Sequence, residues 1–127
     1  MITHVNPERL HKNPAFSQAT IAPAGRTLYI GGQNGTDSEG AIVSADAGEQ
    51  SAQAMRNILA ILDEVGATVE DVAKLTIYLH ESVDIAAAFA AVGPVWGAQP
   101  TAISGVKVSG LARPDALVEV DAIVALP

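Results

Sequence analysis

The chain contains no cysteine, which excludes disulfide staples and thiolate chemistry. A zinc site would then need His and carboxylate ligands, yet His4, His11 and His80 do not stand at ligand spacing, so no metal or cofactor is expected. Aromatic residues are scarce at 4%, although 49% of the chain is apolar, so the apolar content is Ala, Val, Ile and Leu. Such side chains pack closely but supply few large anchors, and their excess points to burial between subunits. Basic residues are also few: 7 Lys and Arg stand against 14 Asp and Glu, for a net charge of −7. Nucleic-acid binding by phosphate neutralisation needs clustered Lys and Arg, and the bases here are scattered, so no nucleic-acid partner is expected. No apolar run reaches the ~20 residues of a membrane helix. The opening MITHVNPERL lacks a charged-then-apolar signal pattern, so the expected location is the cytoplasm. A length of 127 residues suits one domain, 1–127, with one core.

Periodicity supplies the elements. Ile2–Val5 is short and β-branched and reads as an edge strand before Asn-Pro. Strands are predicted at Ala19–Ala22 and Arg26–Ile30, joined across Pro23-Ala24-Gly25 as a hairpin. Gly31-Gly32-Gln33-Asn34-Gly35 stops the second of these. The glycines would permit phosphate cradling, but no helix starts directly after them and the Walker spacing is absent, which favours a strand end and turn at a site wall. Met55, Ile58, Leu59, Leu62 and Val65 recur every three or four residues, predicting a helix over 46–65. Asp46 and Glu49 suit its start and Gly66 its C-cap. Val69-Glu70-Asp71 turns into a strand over 73–80 with Leu75, Ile77 and Leu79 on one face and Lys74, Thr76, Tyr78 and His80 on the other. Ser82 is expected to cap a second helix, with Asp84 in its first turn and an end near Val92 imposed by Pro94. Strands over 101–109 and 116–126 flank the Ala112-Arg113-Pro114-Asp115 turn. The expected architecture is α+β: a mixed sheet with two helices on one face.

The last strand carries the chemical clue. Val118, Val120, Ala122, Val124 and Leu126 share one apolar face, which must lie under the helices. Leu117, Glu119, Asp121, Ile123 and Ala125 share the other, with the two carboxylates about 6–7 Å apart. Either this face is solvated and its charges are ordinary, or it is an assembly surface. In the second case the carboxylates are partly desolvated and their pKa values rise.

Several segments resemble one family in order along almost the whole chain. Pro14-Ala15-Phe16-Ser17-Gln18-Ala19 is similar to its Gly-Pro-Tyr-Ser-Gln-Ala segment, and Leu28-Tyr29-Ile30-Gly31-Gly32-Gln33 to its strand ending in Ser-Gly-Gln. Gln50, Asn57, Gly66, Val72, Lys74 and Thr76 fall where its helix-turn-strand pattern places the same residues. Leu117-Val118-Glu119-Val120-Asp121-Ala122 resembles its last Ile-Glu-Ile-Glu-Ala strand. The family is RidA/YjgF, also called endoribonuclease L-PSP. The resemblance implies a chorismate-mutase-like fold, a homotrimer around a central β-barrel, and small-molecule sites in the clefts between subunits.

Active members of that family hydrolyse imines or enamines such as 2-aminoacrylate to 2-keto acids and ammonia. An arginine after the proline of Pro-Ala-Arg-Ser grips the substrate carboxylate through bidentate pairing. Carried over residue by residue, Glu119 takes the place of the glutamate that positions water. Phe16 replaces a tyrosine and Gly31 a serine. Pro100 is followed by Thr101-Ala102-Ile103-Ser104-Gly105, so Ile103 or Ala102 stands at the arginine position. Gln33 either lines the cleft or bonds the turn backbone. Trp96 is either a packing anchor near the subunit boundary or a ligand stack. Lys107 shares a strand face with Ile103 but lies too far along it to replace a guanidinium. The resemblance implies two functions: an imine or enamine deaminase using Glu119 on a neutral or cationic substrate, with 2-aminoacrylate handled poorly, or a ligand-binding or regulatory trimer without catalysis. Ribonuclease activity follows only from the family's older name, and the acidic charge balance opposes it.

Overall fold

The computed structural model describes residues 1–127. Strands β1 (Thr3–Val5) and β2 (Ala19–Ile21) form a small antiparallel ribbon. Strand β3 (Thr27–Gln33) leads to helix α1 (Ala47–Glu64), then β4 (Val72–His80), helix α2 (Ile85–Trp96), β5 (Ala102–Val108) and β6 (Val118–Ala125). The main sheet has the order β3-β6-β4-β5, antiparallel except for the parallel pair β4 and β5 that α2 connects. The last strand thus occupies the middle. Mixed pairing with both helices over one face matches the architecture expected from the sequence.

The core lies between α1 and the inner face of the sheet. The α1 stripe delivers Met55, Ile58 and Leu62, all almost fully buried, against Leu75, Ile77 and Leu79 of β4 and Val118, Val120, Ala122 and Val124 of β6. Each such aliphatic side chain contributes about 1.5–3 kcal/mol by leaving water. Leu59 sits at the margin, and Val65 is exposed as the C-cap. Asp46 caps α1 by accepting from the Glu49 N–H at 2.9 Å, and Gly66 takes the left-handed conformation (φ 72°) that ends it. A short 3-10 turn at Val69–Asp71, boxed by Thr68, redirects the chain into β4.

Four local expectations are corrected. The hairpin between the second and third strands does not form: Ala19–Ile21 pairs with Thr3–Val5, and Thr27–Gln33 pairs with β6. Burial decides this, because β6 buries Leu28 and Ile30 against the core, whereas Ile21 stays 59% exposed. Gly31 and Gly32 do not stop β3, which runs on to Gln33 through an irregular register. Asp84, not Ser82, caps α2 by accepting from the Ala86 N–H at 3.0 Å; the Ser82 hydroxyl bonds the His80 ring instead. Finally, α2 continues through Pro94 to Trp96. Proline removes one helical donor, but buried Trp96 holds the last turn in the core, and the Gly97 N–H closes it on the Gly93 carbonyl at 2.9 Å.

Candidate functional site

The sheet separates two regions of chemical interest. On the helix side, an apolar cavity of about 720 Å³ lies between α2 and the β5 edge. Its walls include Leu75, Phe89, Trp96, Ile103 and Gly105, with Phe16 contributed by the loop before β2. The space follows from the sequence of α2. Its residues on the cavity wall are Ile85, Phe89, Val92, Gly93 and Trp96, and only Ala88 and Trp96 of this helix are buried, so the helix stands over the β5 edge without filling the gap. Strand alternation aims Ile103, Gly105 and Lys107 at this side, opposite Leu75, Ile77 and Leu79.

Few polar groups reach the cavity. The Lys107 ammonium donates to the Glu81 and Val83 carbonyls at the turn into α2. Trp96 is only 7% exposed, and its indole N–H has no hydrogen-bond partner. At the other end, Gln99 links to a network holding the N-terminal ribbon. Its amide lies 3.3 Å from His4 Nε2. His4 Nδ1 lies 2.9 Å from Ser17 Oγ. This serine–histidine pair resembles a nucleophile and base, but the buried Ser17 hydroxyl donates to the Pro100 carbonyl at 2.6 Å. The serine proton is therefore committed to a backbone acceptor, and His4 donates to the hydroxyl oxygen. The network fastens the Phe16 loop to the start of β5, where the Ser17 N–H also bonds the Thr101 carbonyl at 3.2 Å.

On the opposite, open face of the sheet, Glu119 stands beside Tyr78 in register and Asp121 beside Thr76. The Tyr78 hydroxyl donates to Asp121 at 3.3 Å. The Asp121 charge pushes the Tyr78 phenol above its usual pKa, and desolvation, that hydrogen bond and the charge of Glu119 act in the same direction. Gly32 lets the Glu119 side chain lie against β3: a Cβ there would come within 2.5 Å of a carboxylate oxygen. Exposed apolar residues share this face, with Tyr29 74% and Ile123 38% accessible. No group of three or more His, Cys, Asp or Glu side chains converges to hold a metal ion.

The residues singled out from the sequence therefore divide. Phe16, Trp96 and Ile103 come together in the cavity. Ala102, next to Ile103, is buried but pairs with Lys74 and turns from the cavity, so Ile103 is the residue presented there. Glu119 lies on the open face, with Gly31 and Gln33 on the neighbouring strand. Gln33 bonds the Gly31 carbonyl at 3.1 Å, a backbone role. Within this chain the structure does not bring Glu119 to Ile103. Gly32, Tyr78 and Gly105, each part of a segment read from the sequence, were not singled out there as site residues. Tyr78 was recoverable, since β4 alternation already placed it on the carboxylate side.

Comparisons with known proteins agree on the type of molecule. The sequence model of the endoribonuclease L-PSP family matches residues 7–126. A RutC family protein of Pyrococcus abyssi is 38% identical over 109 residues, covering 85% of this chain and 84% of its own. A human protein named 2-iminobutanoate/2-iminopropanoate deaminase is 39% identical over 70 residues, 54% of this chain and 50% of that one. The crystal structure of a conserved Rid-family protein of unknown function from Yersinia pestis superposes with a TM-score of 0.88 at 33% identity, covering 98% of each chain.

Proposed function

The chain belongs to the endoribonuclease L-PSP family, the RidA/YjgF group, and from that premise we propose that it is a small-molecule deaminase acting on neutral or cationic imines or enamines with an apolar part. Its sites lie in the clefts of a homotrimer whose sheets form a central barrel. Glu119 is the catalytic residue. Its carboxylate orients water toward the C=N carbon and takes up a proton as the C–O bond forms, then delivers that proton to the nitrogen; the C–N bond breaks as the C=O bond forms from the hydroxyl, whose proton leaves with ammonia. Phe16, Ile103 and Trp96 line the apolar part of the site, and Gly31 and Gln33 flank Glu119. No cofactor or metal takes part.

One observation carries the substrate class. Where the family resemblance expects a carboxylate-binding arginine, this chain presents Ile103 to an apolar cavity, and the nearest lysine on that face spends its ammonium on the Glu81 and Val83 carbonyls. A 2-imino acid would leave its own carboxylate unpaired in apolar surroundings, at a cost of several kcal/mol. Support for deamination comes from the human relative's name. Support for assembly comes from Tyr29 and Ile123, which leave apolar surface on the open sheet face.

The test is ammonia release from enzymatically generated 2-aminoacrylate beside an arginine-bearing relative. The expected rate is at least a hundredfold lower, in keeping with the roughly 3 kcal/mol that a lost charged hydrogen bond costs. Equal rates would refute the substrate class.

The separation of Glu119 from the cavity within one protomer favours a second reading, a binding or regulatory trimer without catalysis. Glu119→Gln separates the two. Lost turnover with retained ligand binding supports the enzyme, and unchanged behaviour supports the binding protein.

A further inference from the structure

We propose that Gly105 sets the size of molecule the α2–β5 cavity accepts, and that this molecule is neutral, with a ring or chain lying over the glycine. The proposal rests on the reading of that cavity as the ligand site. Gly105 lies in the interior of β5, opposite Ile77, between Ile103 and Lys107 on the cavity side. A glycine weakens a strand interior, so its presence there needs a reason. Backbone conformation is not the reason, because positive φ occurs only at Gly25, Gly40, Gly66 and Gly97.

Close packing is not the reason either. A Cβ at Gly32 would come within 2.5 Å of Glu119, and one at Gly35 within 2.5 Å of the Gln50 backbone, so those two positions exclude a side chain. A Cβ at Gly105 meets nothing within 4 Å. The glycine's effect is to leave room inside the cavity. Gly93 of α2 lines the same cavity and also leaves open space.

The lining fixes the charge of the guest. No Asp or Glu lines the cavity, and its one cation, Lys107, already serves two carbonyls. A charged ligand would be desolvated without a counter-charge, which disfavours it. The volume, about 720 Å³, falls within the range of small-molecule pockets.

Trp96 is the sole tryptophan and lines the cavity, so its fluorescence reports occupancy. Nitrobenzene and the larger 1-nitronaphthalene, both neutral quenchers, are titrated into the intact protein. Gly105→Leu should weaken the larger probe at least tenfold more than the smaller, and Gly105→Ala should shift their ratio in the same direction by about threefold. Gly110→Leu is the matched control: it lies outside the cavity, also has open space at Cβ and should leave the ratio unchanged. If both probes bind all variants alike, or weaken by the same factor, the size role of Gly105 is overturned while the cavity reading stands. If neither quenches the unsubstituted protein saturably, the cavity reading falls and the proposal with it. Gly105→Ala keeps the test decisive should the leucine variant fail to fold.

Discussion

Gln50 spends its whole side-chain amide on the backbone inside the protein: it donates to the Ser44 and Asp115 carbonyls and accepts from the Leu117 N–H. Gln50→Leu would strand all three groups and should cost about 2–4 kcal/mol, read as a lowered urea midpoint with an unchanged slope. Asn57 plays a similar part, its amide donating to the Asn34 and Thr36 carbonyls. Both residues were visible in the sequence as matches to a family pattern. Their task was not, because most of their partners lie far along the chain: Leu117 is 67 residues from Gln50. Tyr78 offers a pH test. The folded protein holds the phenol proton more tightly than the unfolded chain, so this stabilisation is complete below the ordinary phenol pKa and is lost as pH rises through the raised one. With Tyr29→Phe removing the other tyrosine, phenolate absorbance should titrate above the normal tyrosine range. Adding Asp121→Asn should bring it back toward that range, and an unmoved titration would contradict the assigned cause.

Helix α1 was legible almost to the residue, because its apolar stripe, its Asp46 cap and Gly66 agree. Asp46→Ala should remove about 1 kcal/mol, measurable by thermal unfolding. Where local signals conflicted, burial decided the outcome. Pro23-Ala24-Gly25 has turn chemistry, yet β2 offers no buried face, so β3 pairs with β6, which does. The Pro94 signal for a helix end was outweighed by Trp96, whose burial holds one further turn. The cavity was not legible at all. Gly93 of α2 and Gly105 of β5 both leave space in it, and a composition count cannot show that two gaps on separated elements face each other.

At the scale of the molecule, the open sheet face joins exposed Tyr29 and Ile123 to the carboxylates of Glu119 and Asp121. Ile123→Asp, which places a further acid on that face, should turn the proposed trimer into monomers in sedimentation while the protomer stays folded, since the Ile123 side chain is turned away from the core. The sequence marked this face correctly by alternation, but Glu119 and Ile103 turn out to lie on opposite faces of one sheet. Strand order has a consequence for synthesis as well. β6, which follows the other strands along this chain, belongs between β3 and β4. Until it emerges from the ribosome, each of those strands keeps a naked edge, and the hydrophobic side of α1 has half a floor. The nascent domain must then wait with sticky borders for β6, a window in which chaperone dependence and clumping of products cut short before β6 would be greatest.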